Sequence, residues 1–166
     1  MPENKSTEVI KDYLEDAIAA EKSFETQLRG FAKEVNDNDI QRLFEQHAEE
    51  TKSQYEALTN RLEELGGSPS TAKSFLAHMF NMSPKLAQTG HEQEERVTQD
   101  LMMAYAVENS EVAMYEALAT VASAAGDSQT EALARRIQSQ ERSTADKVWQ
   151  RIAPSARRAL DVRKAA

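Results

Sequence analysis

Residues 97–122 read VTQDLMMAYAVENSEVAMYEALATVA. In this stretch Val97, Leu101, Ala104, Glu108, Glu111, Tyr115, Leu118 and Ala122 recur at alternating steps of four and three. Such spacing gathers them on one face of an α-helix, because side chains three and four positions apart stand above one another. Two of the eight stripe positions are glutamates, a residue type that almost never sits on a core face without a partner.

The same alternation runs through the rest of the chain. Ile10, Leu14, Ala17, Glu21, Phe24, Leu28, Phe31 and Val35 set one stripe down a helix of about residues 7–35. Ile40, Phe44, His47, Thr51, Gln54, Leu58 and Leu62 set a second over about 39–65, with Asn38 and Gln41 as its capping box and Gly66-Gly67 as its stop. The opening stretch belongs to a third helix, about 91–125, entered through Thr89 and Glu92 and ended by Gly126. Ser128 with Glu131 opens a fourth, about 129–153, whose stripe of Ala134, Ile137, Glu141, Thr144, Val148 and Ile152 runs to Pro154. Residues 66–90 form a long crossover in which a short helix is predicted after Ser70, carrying Phe75, Leu76, Met79, Phe80 and Met82. Residues 154–166 read as a basic tail with Arg157, Arg158, Arg163 and Lys164. Two short connections around one long one predict an all-α single domain of two antiparallel helix pairs, the connectivity of a ferritin-like four-helix bundle.

Composition narrows the chemistry. The chain has 166 residues, enough to bury a core in one domain without disulfides or structural zinc. It has no Cys, which removes zinc ribbons and thiol catalysis. Acidic side chains outnumber basic ones 28 to 20, and a net charge of −8 argues against a nucleic-acid partner. No run of about 18 apolar residues is present, so no membrane span is expected. The opening Met-Pro-Glu-Asn-Lys-Ser lacks the basic start and apolar stretch of a secretory signal, and a cytoplasmic protein is expected.

The acids in the stripes share a depth. Glu21 stands 15 positions before Asn36 and Glu50 stands 12 after Asn38, while Glu111 is 15 before Gly126 and Glu141 is 13 after Ser128. At about 1.5 Å per residue, all four levels fall near mid-helix and within about one turn of each other. Glu50 lies one position off its stripe, next to His47 and Thr51, and points inward only if that face is slightly rotated. Carboxylates crowded into a dry layer cannot remain bare anions, since desolvation costs several kcal/mol per ion and like charges repel. No Lys or Arg occupies a strict stripe position. Two divalent cations would neutralise the layer, and carboxylate with imidazole suits iron or manganese. One such Glu taken singly more often snorkels to solvent; agreement among four helices favours a metal site. The alternative is a structural bundle with a vestigial polar core and no metal. His47 reads either as a ligand or as a hydrogen-bond partner of a Glu. Tyr115 reads as core packing, with a hydrogen-bonding or redox role as the alternative. His78 and His91 read as surface, and the Met residues as core filling.

The segments Ala-Ala-Glu21-Lys, His47-Ala-Glu-Glu50-Thr51, Glu108-Asn-Ser-Glu111-Val-Ala-Met-Tyr115 and Gln140-Glu141 stand in this order around the crossover. Together they resemble the YciE/YciF-type small bacterial ferritin-like family, over roughly residues 9–152. The Glu-x-x-Glu of the third helix also resembles the rubrerythrin arrangement. The resemblance implies a di-iron-type centre, a homodimer and a stress-associated role, with weak ferroxidase or peroxidase-type activity if the centre is active. It implies Glu21 as the first-helix ligand, Glu50 and Glu141 as bridging ligands, and Glu108 with Glu111 as the third-helix pair. The Glu-x-x-His of the wider di-iron pattern reads here Glu50-Thr-Lys-Ser53 and Glu141-Arg-Ser-Thr144, and Asn109 stands where the family often has His. His47, one turn before Glu50, would then supply the nitrogen, with Gln54 assisting. The crossover aromatics Phe75 and Phe80 are the expected source of a dimer contact.

Overall fold

The computed structural model describes residues 2–69 and 90–165, with side chains from residue 5 onward. Four helices account for it in chain order: α1 Pro2–Glu34, α2 Asn38–Glu64, α3 Gln93–Ala125 and α4 Ser128–Ala165. The short crossover helix, Phe75, Leu76, His78, Met79, Phe80, Met82 and Thr89 lie outside the described residues.

Each boundary has a local cause. Asp37, in extended conformation, caps α2 by accepting from the backbone N–H of Asp39 at 2.9 Å and of Ile40 at 3.2 Å. The cap is therefore Asp37 and not the expected Asn38, because the carboxylate accepts bonds from two of the free N–H groups of the first turn. At the start of α3 the backbone N–H of Glu92 donates to Glu95 at 3.3 Å, so a capping box falls on Glu92 and Glu95. Gly126 ends α3 with φ at +79°, a conformation that costs other residues about 1–2 kcal/mol. Asp127, not the expected Ser128, then caps α4 by accepting from the Thr130 backbone N–H at 3.0 Å.

Two further differences concern the ends. α1 begins five positions before Thr7, at Pro2, which a first turn tolerates because its N–H groups have no helical partner anyway. α4 does not stop at Pro154 but continues to Ala165, so the expected tail is the last part of one long helix. Ser155 and Ala159 beyond the proline are buried, the Ser155 and Thr98 hydroxyls bond at 2.8 Å, and Arg158 pairs with Asp37 at 2.5 Å. These contacts hold the extension in place despite the missing donor.

Cross-links fix the layout. The Gln93 amide donates to the Glu34 carbonyl at 3.0 Å, placing the start of α3 at the end of α1. Arg61 near the end of α2 forks onto Asp127 at 2.9 and 3.0 Å, placing that end at the α3–α4 turn. α1 packs on α2 and α3, α4 packs closely on α3, and the α2–α4 contact is the sparsest of the four. The end of α2 and the start of α3 consequently lie at opposite ends of the bundle, as a ferritin-like connectivity requires. Phe24, Phe44, Leu14, Leu28, Leu58, Leu62, Leu101, Leu118 and Ile137 are fully buried and fill the layers above and below mid-height.

Candidate metal centre

At mid-height the apolar core gives way to polar side chains from all four helices. Glu21 of α1, His47 of α2, Glu108 and Glu111 of α3 and Glu141 of α4 are all at most 2% exposed. Their stripe positions put them there: each replaces the apolar residue that the four-three spacing would otherwise place inward.

His47, Glu108 and Glu141 offer ligand atoms that lie within 4.8 Å of one another. His47 Nε2 approaches Glu108 Oε1 to 2.6 Å, yet neither atom has an aligned hydrogen-bond partner. The angular mismatch outweighs the short distance, so the contact is not a hydrogen bond. Glu21 Oε2, both oxygens of Glu111 and both ring nitrogens of His47 are buried without a hydrogen-bond partner, while Glu108 can share a proton only with Glu141. Buried polar atoms are rarely left so, and each costs roughly 1–3 kcal/mol.

Two carboxylates do have donors. The Tyr115 hydroxyl donates to Glu21 Oε1, and the Gln54 amide donates to Glu141 Oε1. Tyr115 is fully buried, so its placement as core packing and its hydrogen-bonding role coincide. Thr144, one of the positions where the di-iron pattern has histidine, sends its hydroxyl to Glu50 Oε2 at 3.4 Å.

Glu50 differs from the other acids: it is exposed, at the edge of the cluster. The single-position offset from its stripe turns it by about 100° around the helix, which carries it to the rim between α2 and α4. Its charge still reaches inward, favouring the protonated forms of His47 and Glu108.

The electrostatics follow from burial. Glu21 is pushed well above the usual carboxylate range by burial first and by the Glu141 charge second, against the opposing bond from Tyr115. Burial likewise raises Glu111, helped by the charges of Glu21, Glu141 and Glu108. Glu141 is raised by burial and then by Glu108, while Glu108 is raised by burial to about 8. Burial lowers His47 to about 4, so its ring is neutral at pH 7 and offers a lone pair. Burial also raises the Tyr115 hydroxyl, which stays a donor.

This donor set fits a divalent cation. Hard carboxylate oxygens with one neutral imidazole match iron(II) or manganese(II), and the atoms that would bind them are the ones without protein partners. Protons can occupy the same oxygens, and the raised proton affinities just described favour that in the metal-free protein.

Comparison with known proteins agrees with the fold. Residues 5–160 match the family described as "Domain of unknown function (DUF892)". A solved protein of Xanthomonas campestris pv. campestris superposes with a TM-score of 0.81 at 28% identity, over 96% of this chain and 99% of that one. The E. coli stress protein YciF gives 0.81 at 23% identity, over 92% of this chain and 97% of its own. A dodecameric thioferritin, the bacterioferritin-related protein of Bacteroides fragilis, gives 0.72 at 19% identity over 93% and 90%.

Proposed function

Since the chain belongs to the DUF892 family and has the fold of the YciF-type ferritin-like proteins, we propose that it binds a dinuclear centre of iron, or of manganese, at mid-bundle. The ligands in this reading are Glu21, Glu50, Glu108, Glu111, Glu141 and His47. One observation carries it: five buried ligand atoms, from Glu21, His47 and Glu111, have no hydrogen-bond partner in the protein.

The residues divide the work. The apolar layers around Phe24, Phe44, Leu58 and Leu118 exclude water from the carboxylates. Glu108, Glu111 and Glu141 hold protons in the metal-free protein and release them as cations arrive, so loading liberates protons. Neutral His47 contributes nitrogen without a proton to displace. Glu50, exposed at the rim beside Thr144, would add its carboxylate to the ligand set from that side. Bound iron or manganese would supply the redox chemistry toward oxygen or peroxide on which a weak ferroxidase or peroxidase-type activity would rest.

The likeness to the E. coli stress protein YciF supports a stress-associated role, and a cytoplasmic homodimer is proposed as the family resemblance implies. Among the described residues no helix is long and apolar enough to cross a membrane.

Elemental analysis of protein purified without added metal tests the proposal. About two iron or manganese ions per chain are expected. A competing reading is a metal-free structural bundle, favoured by the raised carboxylates, which protons alone can neutralise. It predicts no retained metal and a melting temperature indifferent to metal or chelator.

A further inference from the structure

Two buried donors meet carboxylates of the cluster. Tyr115 of α3 reaches Glu21 of α1, and Gln54 of α2 reaches Glu141 of α4. Tyr115 is 0% and Gln54 5% exposed. Each bond ends on Oε1 of its carboxylate. At Glu21 the other oxygen, Oε2, is buried without a partner.

With Glu21 and Glu141 ionised, as metal ligands must be, the direction of both bonds is fixed by chemistry. Tyrosine has a single hydroxyl proton, and beside a carboxylate oxygen it can only donate it. Turning the Gln54 amide over would set its carbonyl oxygen against a carboxylate oxygen, so the NH2 group faces Glu141. Neither donor resembles a metal ligand in this pose: Gln54 presents nitrogen hydrogens, and the Tyr115 oxygen is already committed to Glu21.

We infer that Tyr115 and Gln54 are positioning residues that tie down one oxygen each of Glu21 and Glu141, presenting those carboxylates to cations through the oxygen left over. This inference rests on the metal-binding reading of the cluster. A carboxylate held at one oxygen keeps a fixed plane and orientation toward the cluster. The ligand geometry is then set before metal arrives, and little side-chain entropy remains to be lost on binding. In a chain without histidine at Ser53 and Thr144, the two donors supply an order that second nitrogen ligands would otherwise impose.

The test uses Tyr115→Phe, which removes one oxygen atom, and Gln54→Met, which keeps the length of the side chain and removes the donor. Wild type and both variants are freed of metal and titrated with manganese(II) without oxygen, following free and bound ion by electron paramagnetic resonance. Circular dichroism melting of the metal-free proteins runs in parallel. The expected result is a cooperative helical melt in each variant, with manganese affinity lowered about 10–100-fold and a broadened bound-ion spectrum. Either variant alone suffices should the other fail to fold. Unchanged affinity and spectrum in a folded variant, with wild type binding normally, would overturn the inference and leave the metal site standing. Wild type that takes up neither manganese nor iron would overturn the metal site and this inference together.

Discussion

The imidazole of His47 and the carboxylate of Glu108, on α2 and α3, stand with Nε2 and Oε1 2.6 Å apart and both side chains sealed from solvent. Phe24 holds the ring from behind, edge to face, at a centroid distance of 5.2 Å. The pair comes from different halves of the chain, so the fold itself sets this distance. Replacing His47 by Gln keeps a polar side chain but withdraws the ring nitrogen. We expect His47→Gln to weaken manganese(II) binding about tenfold or more, equivalent to at least about 1.4 kcal/mol, in an anaerobic titration. Unaltered binding would remove His47 from the ligand set.

Glu111 carries two buried oxygens with no partner, which makes it a cost to the metal-free protein. Glu111→Leu should therefore raise metal-free stability by about 1–3 kcal/mol in urea unfolding, while cancelling the stabilisation that metal gives wild type. A loss of stability of that size in the metal-free variant would show that Glu111 is satisfied by the protein alone.

The pH dependence of the metal-free protein follows from the same acids. Glu108 binds its proton up to about pH 8 when folded, but only to the ordinary carboxylate range when unfolded. Between those limits the folded state holds more protons, so stability falls as pH rises, by about 1.4 kcal/mol per pH unit for each proton of difference. Glu21, Glu111 and Glu141 are raised as well and act in the same direction. His47, lowered to about 4, opposes them only below its ordinary 6.5, where the unfolded ring is the more protonated. From pH 6.5 to 8 the melting temperature of the metal-free protein should consequently fall, and that of the metal-loaded protein should fall much less. Equal slopes in calorimetry would contradict the buried-acid picture.

The inward faces were legible because periodicity is a geometric property of the chain. Glu21, His47, Glu108, Glu111, Tyr115 and Glu141 all fall on four-three stripes, and all are buried. Glu50 shows the resolution of that rule: one position off the stripe, it sits exposed at the rim. What was not legible depends on contacts between distant segments. Asp37 and Asp127 cap α2 and α4 where neighbouring Asn38 and Ser128 carry equally good capping chemistry, and only the path of each turn decides between them. Pro154 reads locally as a stop, but buried Ser155 and Ala159 and the Arg158–Asp37 pair carry α4 past it. Likewise, Gln54 meets Glu141 across 87 positions of sequence, a pairing that no local spacing announces.

Arg61 offers a check on the fold independent of the metal centre. Its guanidinium forks onto Asp127 and also donates to Thr130 at 2.9 Å and Gln129 at 2.6 Å, tying the end of α2 to the α3–α4 turn. Only 13% of either the Arg61 or the Asp127 side chain is exposed, so the pair is worth more than a surface ion pair. Arg61→Ala should cost about 1–3 kcal/mol in urea unfolding. A change below about 0.5 kcal/mol, typical of surface substitutions, would show that the clamp contributes nothing.

The most direct measurement is titration of metal-free protein with ferrous iron in the absence of oxygen. Saturable uptake of about two ions per chain is predicted, lost in Glu141→Ala and Glu50→Ala and retained in Glu63→Ala and Glu64→Ala. No saturable uptake by the wild-type protein would contradict the account at its centre.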